Sequence, residues 1–181
     1  MTVVSQRHVI MPAQHIQRFA SSSECGTWGP PSVAVAGLLV IHGGMWYSGW
    51  FGPLGDLLSS EQYSIRVSAP DLPALGKSDD VVPDLRAFVP DFADYFKEVS
   101  TAVIRARAAL QDGAPTFLLG ESMGGLVAIM ALLDEADLHV DGLILCAALV
   151  RVAPELLPPA FVTPILRLVS WFSPKTSVPQ E

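Results

Sequence analysis

The chain has 181 residues, half of them hydrophobic, and its formal net charge at pH 7 is −7. This length suffices for one sizeable core but not for two ordinary domains. The negative charge and the lack of any Lys/Arg run argue against a nucleic-acid partner. Cys25 and Cys146 stand far apart without a CxxC spacing, which argues against a metal site or a disulfide scaffold. Cys146 lies in the apolar run "GLILCAAL", which predicts a small buried side chain.

The N-terminal segment is polar and mixed. "MTVVSQRHVIM" lacks a basic stretch followed by a long apolar one, and no uninterrupted apolar run reaches about 18 residues. We therefore expect neither a secretory signal nor a spanning helix, and we expect a cytoplasmic location. "SQRHVIM" and "HIQRFA" could form a hairpin at a sheet edge, and "SSSECGTWGPPS" (21–32) has the composition of a loop.

Four apolar segments predict strands, and two amphipathic or apolar stretches predict the helices between them. The strands are expected within 33–44, 63–73, 115–120 and 141–149, and the helices within 90–110 and 124–137. The run 33–44 is apolar throughout, as in a strand buried on both faces. Strands that alternate with helices predict an α/β fold with a mainly parallel sheet and helices on both faces.

The chain changes character after Val150, where the remaining segment contains six prolines. Thr163 followed by Pro164 is a good N-cap and first-turn pair, and Ser173-Pro174 is expected to end the helix. Two interpretations of its apolar face remain open. The face either packs into the core or forms a lid helix over an apolar substrate; its residues are Ile165, Leu168, Val169 and Phe172.

A lone serine stands between glycines at the junction of the third strand and the second helix. Gly120-Glu121-Ser122-Met123-Gly124 matches G-x-S-x-G, with "TFLL" before it and "GLVAIMALL" after it. In this strand–turn–helix context the serine sits on a sharp turn with its hydroxyl exposed. Side chains in place of Gly120 or Gly124 would collide with the neighbouring strand and helix. The pattern predicts that Ser122 is a catalytic nucleophile.

An earlier strand ends in His42-Gly43-Gly44, which predicts the other part of such a site. A nucleophilic serine generates an oxyanion that backbone N–H groups must stabilise. We expect these N–H groups to come from Met123 and Gly44, with Met45 as the neighbour that could share the role. His42 belongs to this loop and is not expected to be the catalytic base.

At these motifs the chain resembles a known family. "VIHGGMWYSGWFGPLGDLL", "SAPDLPALGKSD", "PTFLLGESMGGLVAI" and "DGLILCAAL" look like successive signatures of α/β-hydrolases of the monoacylglycerol lipase-like group, and the tail is similar to the start of the cap in its plant-type branch, which includes caffeoylshikimate esterases. The resemblance implies a Ser-His-Asp esterase or lipase that acts on monoacylglycerols or related acyl esters without a cofactor or metal. It divides the chain into an incomplete hydrolase core (1–150) and the beginning of a cap (151–181). Ala74 departs from the family's usual glycine, which should stiffen its loop without removing chemistry.

The remaining triad residues are not recognisable in the sequence. The family places Asp and His after strands that follow the serine, and only one strand, at 142–148, follows Ser122. His139 would lie about 20 Å away at the far end of a helix, and His8 and His15 belong to the expected N-terminal hairpin. Asp137 and Asp141 fail as the triad acid for the same reason as His139.

We therefore expect an N-terminal portion of a hydrolase, because the strand at 142–148 would otherwise leave an apolar edge open. One alternative is a non-catalytic protein that uses the same scaffold to bind a small apolar ligand. Within the enzyme class, thioesterase and peptidase activity stay open, because the motifs do not encode the acyl acceptor. The sequence leaves open whether the apolar cap also contacts a membrane surface transiently.

Overall fold

The computed structural model describes residues 25–157, 159 and 161–172. Its strands are β1 (Cys25–Trp28), β2 (Ala36–Ile41), β3 (Ile65–Pro70), β4 (Thr116–Glu121) and β5 (Gly142–Cys146). Its α-helices are α1 (Gly52–Leu58), α2 (Ala93–Ala108), α3 (Met123–Asp134) and α4 (Val162–Phe172). Short 3₁₀ segments cover Pro31–Val33, Ser48–Phe51 and Pro154–Leu156.

The five strands form one sheet in the order β1-β3-β2-β4-β5. Strands β2 to β5 are parallel, and β1 pairs antiparallel with β3. The four predicted strands all form; three are shorter than their predicted runs, and β4 has the predicted length but lies one residue later. The predicted α/β class with a mainly parallel sheet is confirmed.

Helices cover both faces of the sheet because the central strand alternates its side chains between two cores. Leu39 and Ile41 of β2 point toward α2 and α3, and Leu38 and Val40 point toward the side of α1. All six residues of β2 are buried, which confirms the prediction of a strand buried on both faces. The core on the α2 and α3 side also contains Leu72, Val99, Val103, Leu118, Val127 and Ala131.

The N-terminal expectations have a mixed outcome. The segment 21–32 is not all loop, because residues Cys25–Trp28 form β1. Four residues rich in small and polar side chains carry no alternating apolar pattern, so only their pairing with β3 makes them a strand. The hairpin expected in residues 1–20 lies outside the described residues. Helix α1, which follows the "HGG" loop, is an element that the sequence reasoning missed.

Strand β5 has one neighbour in the described sheet, and its other edge is open. Four of its five residues are exposed, among them Leu143, Ile144 and Leu145, as expected for a sheet that ends there. Cys146 is exposed and free, so the prediction of a buried side chain was wrong. An apolar run predicts burial only where a further strand or helix covers it. In the described sheet β5 is the last strand, and four of its five residues are left uncovered.

The expected tail helix is present as α4. It begins at Val162, one residue before the predicted cap at Thr163, and ends at Phe172 as expected. Five of its apolar side chains are exposed, so they do not pack into the core that the described residues form; these are Ile165, Leu168, Val169, Trp171 and Phe172. No helix in the described ranges is both long enough and apolar enough to cross a membrane.

Candidate active site

Ser122 occupies a strained turn between β4 and α3. Its backbone has φ 51° and ψ −118°, a conformation that residues other than glycine rarely adopt and that costs about 1–3 kcal/mol. Strand β4 ends at Glu121 and α3 begins at Met123. The whole change of direction therefore falls on Ser122, which projects from the carboxyl end of the parallel strands.

The two glycines of the motif are required by the space around this turn. A Cβ on Gly120 would lie 2.5 Å from the Cα of Gly125. A Cβ on Gly124 would lie 2.5 Å from the carbonyl oxygen of His42 and closer still to that of Ile41. These neighbours are backbone atoms that cannot rotate away, so both positions exclude a side chain.

Hydrogen bonds to the end of β5, to the chain that follows it and to α3 hold the turn in place. The Ser122 N–H donates to the Cys146 carbonyl at 3.0 Å, and the Leu149 N–H donates to the Ser122 carbonyl at 2.9 Å. The Gly125 N–H also donates to the Ser122 carbonyl at 3.0 Å. The strained conformation is thus supported from α3 and from the neighbouring strand.

The glycines after β2 lie against this turn. A Cβ on Gly43 would lie 3.2 Å from the Ser122 Cβ, and it would overlap the carboxylate of Glu121. A Cβ on Gly44 would lie 3.6 Å from the Met123 sulfur and 4.0 Å from the Met123 Cβ. The structure therefore brings together Gly44, Met123 and Ser122, the three residues that the sequence singled out separately. Met45 follows in a left-handed conformation with φ 63°.

His42 is a buried structural residue in this arrangement. Its Nε2 accepts the Leu72 N–H at 2.9 Å, so the ring proton sits on Nδ1, which is 2.8 Å from the Gly43 carbonyl and donates to it. Burial lowers the pKa of His42 below its usual value, against the opposing effects of the Gly43 carbonyl and the Asp71 charge. Both ring nitrogens of the neutral imidazole are engaged, which leaves none for Ser122.

Asp71 is a buried residue of the site region that the sequence reasoning missed. Its carboxylate accepts the Ser48 N–H at 2.5 Å and the Lys77 N–H at 2.7 Å. It therefore ties the loop after β2 to the loop after β3. The available signal was an acidic residue between two prolines at the end of an apolar strand, "APDLP".

Ala74 has φ 61° and is fully buried. Its N–H donates to the Asp79 carbonyl at 3.1 Å, and its carbonyl accepts the Ala87 N–H at 2.9 Å. The left-handed conformation accounts for the glycine that the resemblance implies here, since alanine adopts it at a cost of about 1–2 kcal/mol.

The other candidate bases lie elsewhere. The His139 ring is 3.6 Å from Asp141, whose carboxylate accepts the N–H of Thr116 at the start of β4. This hydrogen bond is the largest of the effects that lower the pKa of Asp141. Ser122 follows the opposite end of β4, about 20 Å away, and His8 and His15 lie outside the described residues. Within the described ranges, no group of three His, Cys, Asp or Glu residues could hold a metal ion.

Comparison with known proteins identifies the family. The family model "Serine aminopeptidase, S33" matches residues 33–181. The chain belongs to this family. It is 31% identical to monoglyceride lipase of Rattus norvegicus over 134 aligned residues, and this alignment covers 72% of this chain and 41% of that protein. It is 33% identical to phospholipase YtpA of Bacillus subtilis (strain 168) over 111 aligned residues, and this alignment covers 61% of this chain and 39% of that protein. The chain thus spans about 40% of the length of these relatives.

Solved structures confirm an α/β-hydrolase fold. The monoacylglycerol lipase of Paleococcus ferrophilus superposes with a TM-score of 0.64 at 22% identity, over 86% of this chain and 54% of that one. A soluble variant of monoglyceride lipase from Saccharomyces cerevisiae, solved with a substrate analogue, gives 0.67 at 22% identity, over 87% and 51%. At this identity the likeness concerns the fold, and the family match and the fold agree with the resemblance inferred from the motifs.

Proposed function

We propose that Ser122 is the nucleophile of a serine ester hydrolase that acts on monoacylglycerols or related acyl esters. The observation that carries this proposal is the backbone of Ser122, with φ 51° and ψ −118° at the junction of a strand and a helix. Binding a small apolar ligand requires no such strain, whereas exposing a nucleophile above a sheet does. The geometry therefore favours an enzyme over a binding scaffold.

In the proposed reaction the Ser122 hydroxyl attacks the ester carbonyl carbon while a base removes its proton. The N–H groups of Gly44 and Met123 stabilise the oxyanion, and Gly120 and Gly124 keep the space for this turn. The alcohol leaves with a proton, and water then releases the acid from the acyl-enzyme. The relatives are more than twice as long as their matched parts, and we assign the acid and base of the triad to the portion that this chain does not span.

The substrate class is supported by two independent features. Relatives in the family carry the names monoglyceride lipase and phospholipase. Helix α4 exposes five apolar side chains after the core ends, which suits residues 151–181 as the beginning of a cap over an apolar substrate. Transient contact of this helix with a membrane surface would bring such substrates to the site.

The experiment is covalent labelling by a fluorophosphonate, which reacts with activated serines. It uses the longest natural form of this polypeptide, the Ser122→Ala variant and the matched control Ser59→Ala, whose serine makes one weak 3.4 Å hydrogen bond at the end of α1. We expect labelling of the parent and of Ser59→Ala and none of Ser122→Ala. An unlabelled parent would favour the binding scaffold, and a labelled Ser122→Ala would place the nucleophile elsewhere.

A further inference from the structure

Glu121, the last residue of β4, places a buried carboxylate oxygen directly before the nucleophile in the chain. Its Oε2 is shielded from solvent and, among the residues that the structure describes, has no hydrogen-bond partner. A buried polar atom in this state is uncommon in folded proteins, and catalytic sites are one place where it occurs. The reaction proposed above gives Glu121 no role.

The same oxygen lies close to the Ser122 side chain. A Cβ on Gly43 would overlap the Glu121 Oε2, and it would lie 3.2 Å from the Ser122 Cβ. Because this one position touches both groups, Oε2 lies within about 6 Å of the Ser122 Cβ. The glycine at position 43 leaves the space that the carboxylate occupies.

The other titratable groups at this end of the described sheet are His42, Asp71 and Cys146. The Asp71 carboxylate accepts two backbone N–H groups, and the charge that acts on His42 is that of Asp71. Cys146 pairs in register with Glu121 and is exposed. The first turn of α3 contains no titratable side chain. Among these described groups, Glu121 is the carboxylate with an oxygen that no hydrogen bond engages.

We propose that the Glu121 carboxylate favours the protonated form of the base that serves Ser122, and thereby sets the pH at which the nucleophile becomes active. This inference rests on the proposed function, which requires such a base, and it adds a residue that acts through that base. To take the proton, the base must lie within about 3 Å of the Ser122 hydroxyl oxygen, so its charge lies within about 10 Å of Oε2. At that distance the carboxylate attracts a positive charge from whichever side the base approaches.

Coulomb's law gives the size of this effect. Removal of one negative charge at about 10 Å should lower the pH of half-maximal activity by about 0.3 to 1.2 pH units, for effective dielectric constants of about 80 to 20. The base in Glu121→Gln therefore loses its proton at a lower pH than the base in the parent. Below this transition, the variant should contain about two- to sixteen-fold more of the active form than the parent.

The test is the pH dependence of the rate of fluorophosphonate labelling in the longest natural form, because an uncharged reagent reports the protonation state of the free enzyme. Glu121→Gln removes the charge with almost no change of shape, and Glu121→Asp retains it. The matched control is Glu135→Gln, which removes an equal charge from an exposed residue at the other end of α3, about 20 Å from Ser122. Each rate is measured at about 0.1 M and at about 1 M salt.

We expect Glu121→Gln to move the labelling transition to lower pH by about 0.3 to 1.2 pH units. Glu121→Asp should lie closer to the parent than to Glu121→Gln, and Glu135→Gln should leave the transition where it is in the parent. The effect of Glu121→Gln should persist at high salt, because a shielded carboxylate is screened much less than an exposed one.

An unmoved transition in Glu121→Gln, or one moved to higher pH, would overturn the inference. If Glu121 only held the turn, Glu121→Gln would label more slowly at every pH without moving the transition. Partial unfolding of a variant does not obscure the result, because an unfolded serine is not labelled and the transition belongs to the folded fraction. An unlabelled parent would contradict the proposed function and this inference with it, whereas a labelled parent with an unmoved transition in Glu121→Gln would contradict this inference alone.

Discussion

The close approach of α3 to the end of β2 makes Gly124→Ala the sharpest perturbation of the candidate site. An added Cβ would lie 2.5 Å from the His42 carbonyl oxygen and 2.7 Å from the Ile41 carbonyl carbon. Since Cβ atoms essentially never approach other heavy atoms closer than 3.0 Å, the start of α3 must move by about 0.5 Å or more. The obstacle is backbone on one side and the first turn of a helix on the other, so neither can yield by a side-chain rotation.

The magnitude follows from two opposing effects. Overpacking of this kind costs about 1–3 kcal/mol, and replacing glycine by alanine in a helix returns up to about 1 kcal/mol. Gly52→Ala is the matched control, because Gly52 begins α1 and a Cβ there meets nothing within 4 Å. Gly52→Ala gains the helix propensity of alanine without the steric overlap that Gly124→Ala suffers. Because both variants gain the same helix propensity, we expect their free energies of unfolding to differ by the cost of the clash alone, about 1–3 kcal/mol.

Urea unfolding followed by circular dichroism measures this difference. The same shift displaces Ser122 relative to the Gly44 loop, and a misplacement of about 1 Å can cost about 10²-fold in kcat. In the longest natural form, which is the one that we expect to be active, Gly124→Ala should therefore lose hydrolysis of a monoacylglycerol even where it remains folded. Equal stability of Gly124→Ala and Gly52→Ala, or full activity of Gly124→Ala, would refute the argument that direct backbone packing at Gly124 shapes this turn.

Three further outcomes are expected. Gly44→Pro removes a proposed oxyanion donor and should lower kcat about 10²–10³-fold with little change in KM; steady-state kinetics with an unchanged kcat would point to Met45 or another loop. A polypeptide of residues 1–181 alone should hydrolyse a monoacylglycerol or a short aryl ester about 10⁴–10⁶-fold more slowly than a form with a base beside Ser122. Comparable rates of the two forms would require an unrecognised base, and His8 and His15 would be the first residues to mutate. Because burial lowers the pKa of His42 in the folded state, the unfolded chain binds the extra proton first as the pH falls. The stability present above about pH 6.5 is then lost, by at most about 1.4 kcal/mol per pH unit. Between pH 7 and pH 5.5, urea unfolding should show a smaller loss of unfolding free energy for His42→Gln than for the parent, and an identical loss would contradict this role.

The sequence alone determined the features whose causes are local. Continuous apolar runs are typical of strands buried on both faces, and the one at 33–44 contains β2, whose six residues are all buried. The position of Ser122 between an apolar strand and an apolar helix predicted a turn there, because glycine spacing and the flanking runs lie within a few residues of each other. The identity of the family followed from the same short motifs and is confirmed by the match over residues 33–181.

Only the tertiary structure decided the features that depend on distant partners. Strand β1 exists because it pairs with β3, about 40 residues later, and its own four residues carry no strand pattern. The pKa of His42 is lowered because the fold buries its ring, whose Nε2 accepts the N–H of Leu72, 30 residues away in the chain. Cys146 is exposed although its sequence neighbours are apolar, because no described strand pairs with the outer edge of β5. Local patterns report which face a side chain occupies, and burial and hydrogen bonding depend on what the fold places against that face.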